Sequence, residues 1–486
     1  RFVSFALIFS RGVPKDRSMS SHSPHPASPA AGHDPAGRKV SVLIVVGTRP
    51  EAIKLIPIIL ALRDSESFRP VVVTTGQHDL MVREVFKLAG IWADVTLWIG
   101  DTRSRLNERV ASVMLRFEDF FHQWFHQVTA GEATADDVRE GRYPAAVLVH
   151  GDTSSAFGAA LAAFHLGIPV VHVEAGLRAG SGNMTPFPEE LNRRLIARIA
   201  CLHLAPTATN QENLVRENVP IKQVYVTGNS AIDALEWASG LDVPFVNPAV
   251  QEMFDSGKRL VLVTAHRRES WGDGLRGIGE AIARLATEHP EIAFVLPLHP
   301  NPRVRSTLRP LLQGLGNVLL CEPVSYGEFA RLLARCDLVI TDSGGIQEEA
   351  PALGKPVLVT REVTERVEGV DAGTLALVGT DPERIVAVAG RLLTDPVAYA
   401  EMSEAPNPYG DGNAAQRIVA ALEYLHAGGV APAPFGSSLD RRAVLGATGA
   451  VEADDADKAV EIESPLVVEL PVIGHVPSPW IEREAS

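Results

Sequence analysis

The sequence predicts an α/β fold of two doubly wound modules, each built on a parallel sheet, with a cleft between them. Three observations carry this prediction. At 486 residues, 46% of them hydrophobic, the chain is too long for one typical core and has ample apolar material for two. Apolar runs alternate with helical stretches. The runs are also continuously apolar, as expected of strands covered on both faces.

Residues 1–38 are expected to form a disordered N-terminal extension. The opening VSFALIF run is short, lacks a convincing small-residue cleavage site and is followed by Met19, so it reads as an upstream extension or misassigned start rather than a targeting signal. Ser, His, Pro and Ala dominate the rest of the segment. From Lys39 the alternation begins. KVSVLIVVG, PVVVTTG, AAVLVHG and PVVHVEAG read as strands between helical stretches such as EAIKLIPIILALRD and SAFGAALAAFHLG. This first domain is expected over 39–235, with a Pro-containing linker of weak periodicity at 236–258.

RLVLVTAH, IAFVLPLH, NVLLCEP, LVITDS and PVLVTR supply the strands of a second domain, 259–405, closing with helix DPERIVAVAGRLLTD. A turn and a helix follow at 406–426 (NPYGDGNAAQRIVAALEYL), expected to pack back across the domains. Residues 427–486 are expected to be an acidic, disordered tail, although SPLVVELPVIGHV within it is apolar enough to dock on something. The acidic loop GEATADDVREG, around 131–142, has no readable role.

Charge and composition exclude some functions. Residues 451–486 hold nine acidic and two basic residues, a net −7, which is half of the chain's −14. Nothing resembles the basic face that nucleic acid requires. No apolar run approaches the roughly 20 residues that cross a bilayer. Cys201, Cys321 and Cys336 are isolated, which fits a reduced, cytoplasmic setting.

The chemistry-bearing residues fall just past strand ends, where doubly wound modules bind ligands. LVIT ends in Asp342-Ser343-Gly344-Gly345 and passes into Ile346-Gln347-Glu348-Glu349. A strand feeding a Ser-Gly-Gly turn and a helix points free N–H groups, at the positive helix end, toward one spot that suits a diphosphate. Carboxylates beside it suit sugar hydroxyls. A nucleotide-sugar site is one reading, and a turn with solvated glutamates is the other. Gly47-Thr48-Arg49-Pro50-Glu51 follows the first strand, with Arg49 and Lys54 either reaching an anion or serving as surface charge.

Asp152 follows VLV and Glu174 follows PVV, so two carboxylates just past neighbouring strand ends could converge on one substrate. A helix N-cap role competes for Asp152. Glu174 lies inside an apolar run, where a carboxylate is costly unless used. In Pro188-Glu189-Glu190-Leu191-Asn192-Arg193-Arg194, Glu189–Arg193 and Glu190–Arg194 are i,i+4 pairs that also fit weak surface bridges. Thr264-Ala265-His266-Arg267-Arg268-Glu269 reads as a phosphate grip or a solvated charged turn. Gly272-Asp273-Gly274-Leu275-Arg276-Gly277 matches GxGxxG but begins too late after its strand, with no acidic residue ending a following strand, and is a decoy. Walker A, HExxH and zinc spacings are absent from the sequence, so no catalytic metal is expected.

In order, GTRPEAIK, TGQH, HGDT, HVEAGLR, PEELNRR, TGN, HRRES, DSGGIQEEAPALGKPVL, ERVE and NPYGDG resemble the non-hydrolysing UDP-N-acetylglucosamine 2-epimerases, from Val40 to about Leu425. Each motif is weak alone, and the ordered set is specific. The resemblance implies two Rossmann-like domains of the glycosyltransferase-B type, with UDP held mainly by the second. It implies reversible C2 epimerisation of UDP-N-acetylglucosamine to UDP-N-acetylmannosamine through a 2-acetamidoglucal, with no cofactor. It also implies a homodimer, with UDP-N-acetylglucosamine acting both as substrate and as allosteric activator.

By that similarity Asp152, Glu174 and Glu189 correspond to catalytic carboxylates, and Arg193 and His266 to further active-site residues. Arg49, Lys54, Phe329, Ser343, Gly344, Gly345, Glu349 and Arg366 match substrate-binding positions. Gln77 and His78 match the region that takes the activating molecule. Val324 stands where many members carry Gln near the uracil, and residues 179–187 differ from the shorter loop of some relatives. Such chemistry needs acid/base groups serving both faces of the sugar and cations for the departing diphosphate. Asp152 and Glu189 are assigned the C2 proton, Glu174 a supporting role, and Arg193 and His266 the diphosphate. The alternatives are a hydrolysing relative that releases UDP and N-acetylmannosamine, a glycosyltransferase of the same fold, and an inactive nucleotide-sugar-binding module.

Overall fold

The structure is a computed structural model, describing residues 39–99, 105–179, 186–428 and 430–436. The expectations for 1–38, for most of 427–486 and for the middle of 179–187 therefore lie outside the described residues.

The first sheet contains β1 (Val40–Val46), β2 (Phe68–Thr74), β3 (Val95–Thr96), β4 (Ala146–His150), β5 (Val170–Val173), β6 (Leu202–Ala205) and β7 (Val224–Val226). Their order is β3-β2-β1-β4-β5-β6-β7, and every pairing is parallel. The second holds β8 (Leu260–Thr264), β9 (Ala293–Pro297), β10 (Val318–Cys321), β11 (Leu338–Thr341), β12 (Val357–Val359) and β13 (Leu375–Leu377), ordered β10-β9-β8-β11-β12-β13 and again parallel. Continuous burial explains the apolar runs: all seven residues of β1 and all four of β11 are buried. Each sheet reverses its winding once, between β1 and β4 and between β8 and β11. A crevice opens beyond the carboxyl ends of the strands at such a switch point.

Two helices relate the sheets to each other. Helix Ser230–Ser239 spans residue 235, and its Leu235 and Ala238 pack in the core around β8, β11 and β12. The interval 236–258 is not featureless, since it contains helix Pro248–Asp255, opened by Asn247, whose side chain accepts the Ala249 N–H. Helix Ala414–Ala427 returns to the first sheet, burying Ala415, Ile418, Val419, Ala421 and Leu422 with β1 and helix Arg49–Asp64. The decoy glycines have a packing explanation. A Cβ on Gly277 would lie 2.3 Å from the Thr380 carbonyl oxygen, so glycine lets helix Asp273–Glu288 approach that loop.

Candidate active site

Asp152 follows β4 at the first switch point. Thr153, not Asp152, caps helix Ser154–His165, its hydroxyl accepting the Ala156 N–H at 3.0 Å. Asp152 is thereby released from the competing role. Its carboxylate accepts from Arg193 Nη2 at 2.5 Å, and its carbonyl accepts from Asn192 Nδ2 at 2.9 Å. Burial pushes the Asp152 carboxyl above its ordinary range. Arg193 pulls it back, and the charges of Glu174 and Glu189 push it up again.

Glu174 follows β5 with φ of 60°, a left-handed backbone that an ordinary side chain adopts at a cost of about 1–3 kcal/mol. The next turn needs a true glycine. Gly176 has φ of 89°, and a Cβ there would sit 2.1 Å from the Asn210 carbonyl oxygen. Glu174 pairs with Lys54 Nζ, and His150 Nε2 lies 3.9 Å away. Burial alone would raise the carboxyl, but Lys54 outweighs it and holds Glu174 down at about 2. The ammonium of Lys54 shifts the matching way: burial opposes its charge, while Glu174 and Glu348 raise it.

Glu189 opens helix Glu189–Ile199, close enough to act on Asp152. Arg193, one turn later, is 7% exposed. The expected pairing Glu189–Arg193 is replaced: Arg193 turns to Asp152, with its Nη1 at 3.4 Å from Glu190. The Glu190–Arg194 pair does form, at 2.9 Å, but Glu190 is fully buried, so this is an interior bridge and not a surface one.

On the second module, buried Asp342 follows β11 beside the switch point. It accepts the N–H groups of His266 and Arg267, both at 2.7 Å, and its Oδ1 lies 3.1 Å from His266 Nδ1. This contact aims the other ring nitrogen away from Asp342. Burial works against the Asp342 charge, yet His266 wins and holds the carboxyl below its ordinary range. The His266 ring stacks on His299 at 5.5 Å and 14°. Ser343 is the N-cap of helix Gly344–Ala352. A Cβ on Gly344 would come within 3.2 Å of Arg366 Cζ, so the guanidinium lies against the first turn of that helix, whereas one on Gly345 would meet nothing within 4 Å.

Charges from both modules meet in the cleft. Arg366 Nε donates to Glu348 Oε1 at 2.9 Å, and Asn229 Nδ2, from the TGN motif of the first module, donates to Glu348 Oε2 at 2.8 Å. Lys54 is influenced by Glu348 and Arg366, and Arg366 in turn by Glu174. Burial pushes Glu349 up to about 7, with Glu348 adding and Lys54 opposing. Arg49 and Glu349 both act on the buried Tyr326 hydroxyl.

Three predicted residues stand further back. Phe329 packs half-buried against the second core. Gln77 is buried, its Oε1 accepting from Ser155 Oγ at 2.7 Å. His78 starts helix Asp79–Leu88 with Nδ1 buried and unpartnered, and burial together with Arg109 holds its pKa below the ordinary value.

Sequence reasoning missed the supporting roles of four residues. Asp342 and Glu348 take theirs from partners far away in the chain, and the local Glu190–Arg194 spacing did not show that Glu190 is buried or that it also reaches Arg193. Glu51 did give a local signal, because Thr48-x-x-Glu51 has capping-box spacing. Buried Glu51 accepts the Gly47 N–H at 3.0 Å and the Thr153 hydroxyl at 2.6 Å, tying the loop after β1 to the loop after β4.

Two parallel-sheet modules facing a shared cleft define a nucleotide-sugar fold of the glycosyltransferase-B type. A family model described as UDP-N-acetylglucosamine 2-epimerase matches residues 60–423. A UDP-N-acetylglucosamine 2-epimerase of Yersinia pestis is 43% identical over 389 residues, covering 79% of this chain and 98% of the relative. That of Escherichia coli K12 is 43% identical over 397 residues, with coverages of 79% and 98%. The Neisseria meningitidis UDP-GlcNAc 2-epimerase, solved bound to UDP-GlcNAc, is 41% identical with a TM-score of 0.66, covering 79% of this chain and 99% of that one. The chain belongs to the UDP-N-acetylglucosamine 2-epimerase family.

Proposed function

We propose that this chain reversibly converts UDP-N-acetylglucosamine to UDP-N-acetylmannosamine without hydrolysis. The observation that carries the reading is the pair Asp152 and Glu174. Two carboxylates share one cleft, one pushed above its ordinary range and the other held at about 2. Environments that separate two carboxylates in this way divide acid/base work from charge stabilisation.

The C2 hydrogen is not adjacent to a carbonyl and is scarcely acidic. Breaking the C1–O bond changes that: UDP leaves with the electron pair, and positive charge develops at C1. Glu174, kept ionised, stabilises that charge. A base then takes the C2 proton, leaving 2-acetamidoglucal. Protonation from the opposite face and return of the UDP oxygen to C1 complete the inversion. Asp152 and Glu189 serve the C2 proton. Lys54, Arg49, Arg366, His266 and the N–H groups after Ser343 hold UDP while it is detached. Arg193, already committed to Asp152 and Glu190, governs Asp152 instead of clamping diphosphate. Gln77 and His78 remain the assigned region for a second, activating substrate molecule. The reading includes a homodimer in the cytoplasm and a division into domains 39–235 and 259–405.

Incubation in heavy water, followed by proton and phosphorus NMR, tests the proposal. UDP-N-acetylmannosamine deuterated at C2, without accumulating UDP, is the expected result. Free UDP with N-acetylmannosamine would mean hydrolysis, and no change would point to a different acceptor chemistry or to binding alone. Asp152→Asn should lower turnover by about 10²–10⁴-fold while UDP affinity is retained. Unchanged turnover would remove Asp152 from the mechanism.

A further inference from the structure

Behind Asp152 lies a line of alternating charges of which the reaction as written uses only Arg193. Asp152 faces Arg193, Arg193 faces Glu190, Glu190 faces Arg194, Arg194 faces Glu217, and Glu217 faces Arg178. Glu190 is the fully buried middle member, and its two oxygens have separate partners. Oε2 lies 3.4 Å from Arg193 Nη1 and accepts the Ala179 N–H at 3.2 Å. Oε1 takes Arg194 through Nε at 3.0 Å and Nη2 at 2.9 Å. The outer end is fixed by Glu217, which takes Arg194 Nη1 at 2.7 Å and Arg178 through Nε and Nη2 at 2.8 and 2.6 Å.

We propose that Glu190 is a positioning residue for the C2 proton transfer, setting how far the Arg193 guanidinium is committed to Asp152. The inference rests on the epimerase reading above. Arg193 has one positive charge and two carboxylates competing for it. Its Nη2 reaches Asp152 at 2.5 Å and its Nη1 reaches Glu190, while its buried Nε has no partner. Arg194 draws Glu190 the other way and so moderates the competition. Glu190 precedes Arg193 by three residues and Arg194 by four, so one helix face holds all three in register. The remaining charged or titratable groups near Asp152 are Glu189 on the same helix, Glu174 past the end of β5, the neutral His150 at the end of β4, and Lys54 against Glu174.

Two substitutions pull on this balance in opposite directions. Glu190→Gln removes the competitor, gives Arg193 wholly to Asp152 and stabilises the ionised carboxyl. The acid limb of kcat should move to lower pH, with kcat at its plateau reduced on the order of 10- to 100-fold by the displaced guanidinium. Arg194→Met removes the moderator, lets Glu190 draw Arg193 away, and should move the limb to higher pH. UDP affinity should stay within about threefold of the parent in both, because none of the groups assigned to hold UDP is a partner of Glu190 or Arg194.

The assay is the pH profile of kcat for the full chain with UDP-N-acetylglucosamine, beside UDP binding and thermal melting for each variant. A variant that melts like the parent and binds UDP, yet keeps the parental acid limb, overturns the proposal. Loss of UDP affinity in step with kcat also overturns it, since a collapsed site, not a misplaced Arg193, would be the cause. If Glu190→Gln does not fold, the direction of the Arg194→Met limb decides the matter alone. An unsubstituted chain that fails to form UDP-N-acetylmannosamine removes the epimerase reading itself, which is a separate result.

Discussion

Glu174 stays ionised in a largely buried place because Lys54 faces it, so the two residues are unequal to their sum when either is removed. Lys54→Met leaves an unpaired buried carboxylate and should cost about 3–5 kcal/mol of stability. The double substitution Lys54→Met with Glu174→Gln removes both charges and should regain most of that loss. Urea unfolding of the two variants checks this, and a single variant as stable as the parent would dismiss the pair as a stabilising contact. The sign with pH follows from the depressed carboxyl. Its folded value of about 2 lies below its ordinary 4.5, so the stabilisation is complete above 4.5 and is lost as pH falls toward 2. Asp152, Glu174 and Arg49 were legible in the sequence because each stands at the end of an apolar run. Asp342 stands there too, but its task was hidden. Only the Thr264–Thr341 register brings His266 beside it, and register between strands 77 residues apart is not written in either segment.

Among the elements, helix Gly344–Ala352 makes the sharpest distinction, between two adjacent glycines. Neither has a left-handed backbone, so the difference between them is purely one of space. Gly344→Ala puts a methyl against the Arg366 guanidinium, which must shift away from Glu348 or from the helix end. UDP affinity should fall roughly tenfold, about 1.4 kcal/mol, by calorimetry. Gly345→Ala meets no protein atom, so the free protein should melt within about 1 °C of the parent, a change well below 1 kcal/mol. Any loss of UDP binding in that variant reports the approach of the ligand itself. The nine strands read as apolar runs are all present, and the four others show where reading stopped. β3, β7 and β13 have two or three residues each, too few for a pattern, and β6 carries His203 in its middle. Helix Pro248–Asp255 was hidden because its eight residues hold only one i, i+3, i+4 set, Val250, Met253 and Phe254, too short to repeat as a pattern.

Across the whole molecule, the first sheet depends on neutral histidines. His150, His172 and His203 are buried in β4, β5 and β6, and burial depresses them to about 4, 4 and 3, against an ordinary 6.5. The unfolded chain therefore binds these protons first as pH falls. Stability is full above 6.5 and declines below it, by about 1.4 kcal/mol per histidine per pH unit, until the folded values are reached. The urea midpoint should drop steeply between pH 7 and pH 5, and His203→Gln should flatten that slope. A midpoint constant over the range would mean that these rings are not held neutral.

The same scale shows what the return of helix Ala414–Ala427 does to the cleft. The chain leaves the first sheet beside Asn229 and comes back beside Tyr409, and the two passages are bonded to each other: the Asn229 N–H to the Tyr409 carbonyl at 2.7 Å, and the Ala415 N–H to Asp233 at 2.8 Å. Both crossings thus share one place, like the pin of a pair of jaws. A rotation about that place would keep both bonds, whereas sliding one sheet past the other would break them. Because Asn229 also holds Glu348, and Glu348 holds Arg366, the pin is bonded through to the guanidinium that the proposed function assigns to the diphosphate. Under the proposed function UDP at Arg366 would sit two bonded side chains from that pin, so its arrival would bear on the angle at which the cleft stands open.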